Sequence, residues 1–340
     1  MANVSLLSAK YGHTSKLGDA EPRRIARHIA LKKAEDYFVG KSHRNHHFVP
    51  RFLLEEWAGA DRKLTYFNWR RDGELHVGRC GPRGVGAEEH LYSQRQASGE
   101  MDPEIEVDVF GKIVDTPGSL VHKKLLAGEL NRLTTQEEKA WSNFLVAQMI
   151  RVPSMVQYLR DRGRQLLLRD IEGIEPPDDI KEQLGQLTLQ QYLESDGAWL
   201  LDNASLRALQ VIIESQTLNS VFLGATWAVC DVSDSNLNLV IGDRPLLQEG
   251  KMSEQYLFML PLSPTIAFVA SNQVHAVQNL SAEKSRNVVM TFNKEATQVA
   301  DTHVYATGRE QESMIARYLR KATAPDDRHV VSGLREALAG

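Results

Sequence analysis

The sequence has few cysteines and no long apolar run. Only Cys80 and Cys230 occur in 340 residues, far apart and without CxxC spacing. This arrangement indicates neither a disulfide framework nor a zinc knuckle, and it favours a reducing, cytoplasmic compartment. No stretch approaches about 18 uninterrupted apolar residues, so we expect no membrane span. Residues 1–19 are polar and lack the apolar core of a secretory signal.

The sequence also lacks a large excess of either charge. Its net charge is −4, with 42% hydrophobic and 25% charged residues, which is typical of a soluble globular protein. This balance argues against a strongly basic nucleic-acid binder, although a local basic groove is compatible with it. The length suits one large domain or two ordinary ones. No internal repeat or low-complexity tract is present.

Alternating apolar residues and turn residues predict strands near both ends of the chain. An early hairpin is predicted from residues 63–69 and 75–79. Two more hairpins are predicted in the C-terminal half, one from residues 226–232 and 237–241, the other from residues 256–260 and 265–270.

Helical periodicity dominates the middle of the chain, from about residue 134 to residue 222. Its strongest signal is the capping-box spacing of Thr134 and Glu137, and Val152-Pro153 is expected to interrupt the helix that follows. We therefore predict an α+β fold, with a mostly antiparallel sheet of C-terminal strands and the early hairpin, surrounded by many helices. The predicted organisation is an N-terminal arm and helix (1–40), a single domain (41–322) and a C-terminal tail (323–340).

Three histidines, His43, His46 and His47, precede Pro50, which suits the first turn of a helix. The positive end of a helix dipole disfavours imidazolium, so an imidazole held there tends to remain neutral. Neutral imidazole binds metals or accepts protons. The alternative is structural, with one histidine packed on Trp57 or capping the helix and the other solvated.

Three further ionisable residues lie among core-type residues. Glu106 lies near the apolar side of a helix predicted to start at residues 101–104. Arg151 falls on the stripe of Trp141 and Phe144, where a guanidinium needs an anionic partner. It either forms a structural ion pair, or acts as an anion clamp or as an orienter of a catalytic carboxylate. Asp243 ends a predicted strand on a Gly/Pro turn, a common position for catalytic residues and for structural turn caps.

Residues 46–54, together with several shorter motifs further along the chain, resemble a bacterial family known as domain of unknown function 4238. The N-terminal signature is read at residues 46–54 as His-His-Phe-Val-Pro-Arg-Phe-Leu-Leu. The chain departs from the expected pattern at Gly242 and Arg244, where Ser and Asn are usual. The resemblance implies positions without implying a fold or a mechanism. Its other motifs are residues 91–93, 105–106, 151–153, 242–245, 261–264, 292–293 and 304–305.

The first functional hypothesis is a metal-dependent hydrolase or nuclease. His46, His47, Glu106 and Asp243 would bind a divalent ion such as zinc or manganese, which would activate a water molecule. Arg151 would hold the anionic group of a phosphodiester, nucleotide or nucleic-acid substrate. A metal-free version uses one histidine as the general base, oriented by a carboxylate.

Two other hypotheses concern the same residues. An HNH-type nuclease is disfavoured, because Pro50 leads directly into a helix while Asn68 and His76 lie on the predicted hairpin. The second main hypothesis is a non-catalytic nucleotide- or protein-binding module. Its histidine, arginine and carboxylate cluster would then be a structural polar network.

Overall fold

The computed structural model describes residues 44–321. This part of the chain combines helices with antiparallel sheets, which confirms the α+β prediction. The predicted N-terminal arm and helix (1–40) and the C-terminal tail (323–340) lie outside the described residues, and the domain boundaries stay a prediction. None of the helices in the described part is long and apolar enough to cross a membrane.

Within residues 44–321 the strands form two four-stranded sheets and two short two-stranded ones, all antiparallel. In one four-stranded sheet the order is β7-β11-β10-β9, and in the other it is β3-β2-β12-β8; β1 pairs with β4 and β5 with β6. The strands are β1 Asn45–His47, β2 Leu64–Trp69, β3 Leu75–Cys80, β4 Ala87–Glu89, β5 Gln94–Arg95, β6 Met101–Asp102, β7 Thr226–Asp231, β8 Ile241–Gly242, β9 Leu247–Gly250, β10 Tyr256–Ser263, β11 Ile266–Ser271 and β12 His303–Ala306.

The helices surround these sheets and fill the middle of the described chain. They are α1 Arg51–Glu55, a π-helix Ile105–Asp115, α2 Thr116–Leu126, α3 Thr135–Ile150, α4 Pro153–Asp170, α5 Asp178–Leu184, α6 Leu189–Glu194, α7 Ala198–Ile213, α8 Gln216–Leu223, α9 Val274–Ala282, α10 Ser285–Val299 and α11 Glu312–Tyr318. Short 3-10 turns lie at Pro82–Gly84 and Leu130–Arg132.

Two of the three predicted hairpins are confirmed. β2 pairs with β3, and β10 pairs with β11. The early hairpin also joins C-terminal strands, because β2 pairs with β12. The predicted hairpin of residues 226–232 and 237–241 is wrong: β7 pairs with β11, and β8 pairs with β12 in the other sheet. Both stretches alternate apolar and polar residues, yet they belong to different sheets. Local periodicity does not show which strands pair.

The helix α3 lies in the middle of the larger apolar core. Its N-terminus carries the predicted capping box, in which Thr134 and Glu137 satisfy each other's backbone N–H groups. Every residue from Trp141 to Ile150 is buried, so the helix packs against neighbours on all sides. It ends before Arg151, and Pro153 begins α4, which confirms the predicted interruption.

The segment Ile105–Asp115 is a π-helix over its whole length, whereas such geometry is usually a single turn. Its buried residues are Ile105, Val109, Phe110 and Val114. They recur every four to five residues, because the i→i+5 hydrogen bonding of a π-helix makes each turn wider than that of an α-helix. In an α-helix, Ile113 would share the buried side with Ile105 and Val109, whereas here Val114 is buried and Ile113 is half-buried.

Candidate functional site

The paired histidines occupy consecutive positions of β1, which pairs with β4 through His46↔Glu88 and His47↔Ala87. Successive side chains of a strand point to opposite faces, so the two imidazoles enter different surroundings. His46 is buried and its ring stacks on Tyr92 with 5.6 Å between the centroids. Its Nδ1 accepts the backbone N–H of Tyr92 at 2.9 Å. In the neutral ring the proton therefore lies on Nε2.

His47 lies among charged groups. Its backbone N–H donates to Oε1 of Glu106 at 3.4 Å, and its carbonyl oxygen accepts a hydrogen bond from Arg151 at 2.5 Å. Nε2 of the imidazole is buried and has no hydrogen-bond partner within the described residues. Burial is the largest cause that lowers the pKa of His47, and the charges of Arg151 and Arg51 lower it further. The imidazole is therefore neutral at pH 7.

Glu106 is the carboxyl group beside His47. Burial raises its pKa to about 7, even though the charge of Arg151 acts in the opposite direction. The nearby charge of Asp115 adds to the increase. Oε2 of Glu106 is buried and accepts no hydrogen bond within residues 44–321. Near neutral pH the group therefore exists in both protonation states.

Arg151 is fully buried and connects several segments. Its guanidinium binds both carboxylate oxygens of Asp115, at 2.7 and 3.1 Å, and lies over the ring of Phe110, 4.8 Å from its centroid. Its carbonyl oxygen accepts the hydroxyl proton of Tyr92. The predicted anionic partner of Arg151 is therefore Asp115, which the sequence reasoning did not name.

The π-helix explains why Asp115 was missed. In an α-helix each residue turns by about 100°, so the nine-residue interval from Glu106 would place Asp115 on the opposite side. In the π-helix, Glu106, Phe110 and Asp115 are spaced by about one wide turn each, and all three are near Arg151. What the sequence did indicate was that the guanidinium of Arg151, placed among apolar residues, needs an anionic partner; helical periodicity did not indicate which residue that is.

Asp243 lies in a different network. Its oxygens accept the backbone N–H groups of Asp301, Thr302 and His303 and the hydroxyl proton of Thr302, at 2.7 to 2.8 Å. The charges that act on His47 and Glu106 do not include Asp243. The structure thus brings His47, Glu106 and Arg151 together, whereas His46 and Asp243 make other contacts.

A family model described as "Protein of unknown function (DUF4238)" matches residues 45–310. The chain belongs to this family. All five predicted site residues of this DUF4238 chain fall inside the match. No curated protein and no solved structure shows significant similarity to the chain.

The predicted metal ligands of the DUF4238 chain do not converge. His46 uses its Nδ1 lone pair for Tyr92, and the oxygens of Asp243 accept four hydrogen bonds. His47 and Glu106 remain, two fewer than a structural zinc site uses and one fewer than a catalytic site. Across residues 44–321, no group of three or more His, Cys, Asp or Glu side chains is arranged to hold a metal ion. Zinc or manganese stays a prediction.

Proposed function

We propose that this DUF4238 protein is a hydrolase of phosphodiester or nucleotide substrates, in which Glu106 and His47 transfer protons. One observation carries the proposal: both side chains keep a buried polar atom without a hydrogen-bond partner within the described residues. Leaving such an atom unpaired costs about 1–3 kcal/mol. This arrangement is typical of groups that act on a bound molecule.

The opposite pKa shifts of the two groups suit acid–base catalysis. The pKa of His47 is lowered, so its neutral imidazole accepts a proton from an attacking water molecule. The pKa of Glu106 is raised to about 7, so a protonated fraction donates to the leaving oxygen at neutral pH. Both groups are then present in the required form near pH 7.

Arg151 and Arg51 have different roles in this proposal. The guanidinium of Arg151 binds Asp115 and the carbonyl oxygen of His47. In this proposal Arg151 therefore holds the site residues in position and does not bind the substrate as the predicted clamp would. Arg51 is exposed at the start of α1, paired with Glu55 at 2.9 Å, and its charge acts on His47. Because an exposed ion pair such as Arg51–Glu55 is weak, the guanidinium of Arg51 can also attract an anionic substrate.

The test is turnover of bis(p-nitrophenyl) phosphate and of a nucleotide panel by untagged protein. We expect Glu106→Gln and His47→Gln each to lower kcat/KM about 100-fold, whereas the exposed control Glu104→Gln leaves it unchanged. Loss of activity with a chelator, restored by zinc or manganese, would support the metal-dependent version. Absence of turnover across the panel, or wild-type rates in both variants, would contradict the proposal.

A non-catalytic binding module is the second candidate, and the contacts of Arg151 favour it. Through its guanidinium and its carbonyl oxygen, this residue ties β1, the π-helix and Tyr92 to the end of α3. Such a network is sufficient for a purely structural role. Nucleotide binding measured by calorimetry, without turnover, would support this candidate.

The proposed compartment is the cytoplasm. Cys80 and Cys230 are both free thiols, which is the usual state in a reducing compartment.

A further inference from the structure

The predicted residue Asp243 belongs to a chain of hydrogen bonds that ends on an imidazole. Its Oδ2 accepts the hydroxyl proton of Thr302 at 2.7 Å, and Oγ1 of Thr302 lies 2.7 Å from Nδ1 of His303. Burial and the charge of Asp301 raise the pKa of Asp243, whereas three backbone N–H groups that donate to its carboxylate favour the ionised form. The order is therefore carboxylate, hydroxyl, imidazole.

This order fixes the tautomer of His303. An ionised carboxylate only accepts hydrogen bonds, so the single hydroxyl proton of Thr302 points to Asp243. The hydroxyl oxygen then accepts from His303, and the ring proton lies on Nδ1. The lone pair of the neutral ring is on Nε2. An imidazole held in this way is prepared to accept a proton at Nε2.

The side chain of His303 shares its face of the sheet with Tyr305, whose fully buried ring stacks on the His303 ring with 6.1 Å between the centroids. The cross-strand neighbour of His303 is Asn68, whose own neighbour on the other side is His76. The ring of Tyr66 lies between these positions, 6.2 Å from the His303 ring and 5.5 Å from the His76 ring. On the other face, the adjacent Val304 is fully buried. The half-buried His303 thus stands among polar aromatic rings.

The charges around His303 indicate which substrates suit it. The charged groups that act on its ring are Asp243 and, when protonated, His76. The nearest arginine along the Asp243 turn, Arg244, is paired with Asp301 at 2.8 Å. A phosphodiester anion would be repelled by the Asp243 carboxylate, and the Arg244–Asp301 ion pair adds no net positive charge on this turn. A small neutral ester avoids that repulsion.

We propose that Nε2 of His303 is the general base of a second hydrolytic site, for neutral esters, and that Asp243 and Thr302 are its positioning residues. Nε2 takes a proton from a water molecule whose oxygen attacks the ester carbonyl carbon. The C–O bond to the alkoxy group breaks as the tetrahedral intermediate collapses. The proton passes from Nε2 to the departing alkoxide, giving an acid and an alcohol. The inference does not rest on the proposed phosphodiester hydrolase, because it uses other residues and another substrate class.

The first test is the tautomer of His303, read from long-range ¹H–¹⁵N NMR spectra of the imidazole. We expect the Nδ1–H form in the wild type and in Thr302→Ser, which keeps the hydroxyl group, and a mixture of tautomers in Thr302→Val. A wild-type ring protonated on Nε2 would overturn the proposal.

The second test is hydrolysis of p-nitrophenyl acetate by the full chain at pH 7. We expect His303→Gln to lower the enzymatic rate about 100-fold and Thr302→Val to lower it less. Thr302→Ser should keep a rate close to that of the wild type. The control is His275→Gln, at an exposed histidine of α9, with folding of each variant checked by circular dichroism. No hydrolysis above background by the wild type, or equal rates in the wild type and His303→Gln, would overturn the proposal.

Discussion

Replacing Glu106 by Gln should change how the stability of the protein depends on pH. Glutamine keeps an oxygen that can accept the backbone N–H of His47 but removes the buried ionisation. The pKa of Glu106 is raised from 4.5 to about 7 in the folded protein. Between these pH values the folded state binds more protons than the unfolded state, so the free energy of unfolding decreases as pH rises.

The size of this effect follows from the two pKa values. A tenfold change in proton affinity corresponds to about 1.4 kcal/mol. The stability present below pH 4.5 is therefore reduced by roughly 3 kcal/mol once the pH exceeds 7. Over the range from pH 5 to pH 8 the difference in unfolding free energy between Glu106→Gln and the wild type should change by about 2–3 kcal/mol in favour of the variant.

Urea denaturation at intervals of half a pH unit measures this difference directly. Glu104→Gln is the matched control, because it removes an exposed carboxyl two residues away and should leave the pH dependence parallel to that of the wild type. If Glu106→Gln also runs parallel to the wild type, Glu106 does not titrate near neutrality, and the acid role proposed for it is wrong.

Three further changes test the packing around the site. Asp115→Asn leaves the buried guanidinium of Arg151 without its counter-charge and should cost about 3 kcal/mol in unfolding free energy; a Tm close to that of the wild type would contradict the buried pair. Thr134→Ala removes the capping hydroxyl of α3 and should cost about 1 kcal/mol by chemical denaturation, so a neutral result would contradict the cap. Val114→Ala should destabilise by about 2 kcal/mol, and by more than Ile113→Ala, because the π-helix buries Val114; the reverse order in thermal melts would indicate an α-helix instead.

Local signals in the sequence predicted much of the fold. The capping box at Thr134 and the proline at position 153 marked helix ends that the structure shows at those places. Turn residues marked the hairpins of β2 with β3 and of β10 with β11. The pairing of β7 with β11 was not predictable in this way, because the partner of an isolated strand depends on tertiary packing and not on its own alternation.

The candidate site was predicted less completely. Reasoning from the cost of a buried charge located Arg151, and the helix start located His47 beside it. The partner Asp115 was missed because the π-helix changes which residues share a face. The position of Asp243 on a Gly/Pro turn made it a candidate site residue. Periodicity gave no indication that its hydrogen bonds lead through the Thr302 hydroxyl group to His303.

The wide turns of the π-helix make the length of this segment as important as its chemistry. Deleting one residue between Glu106 and Asp115 would bring the segment closer to ordinary α-helical winding, yet it would rotate one carboxylate away from Arg151. A shortened chain could thus keep every charged residue and still lose the ion pair. In this protein, the count of residues between two acids determines whether they share one cation.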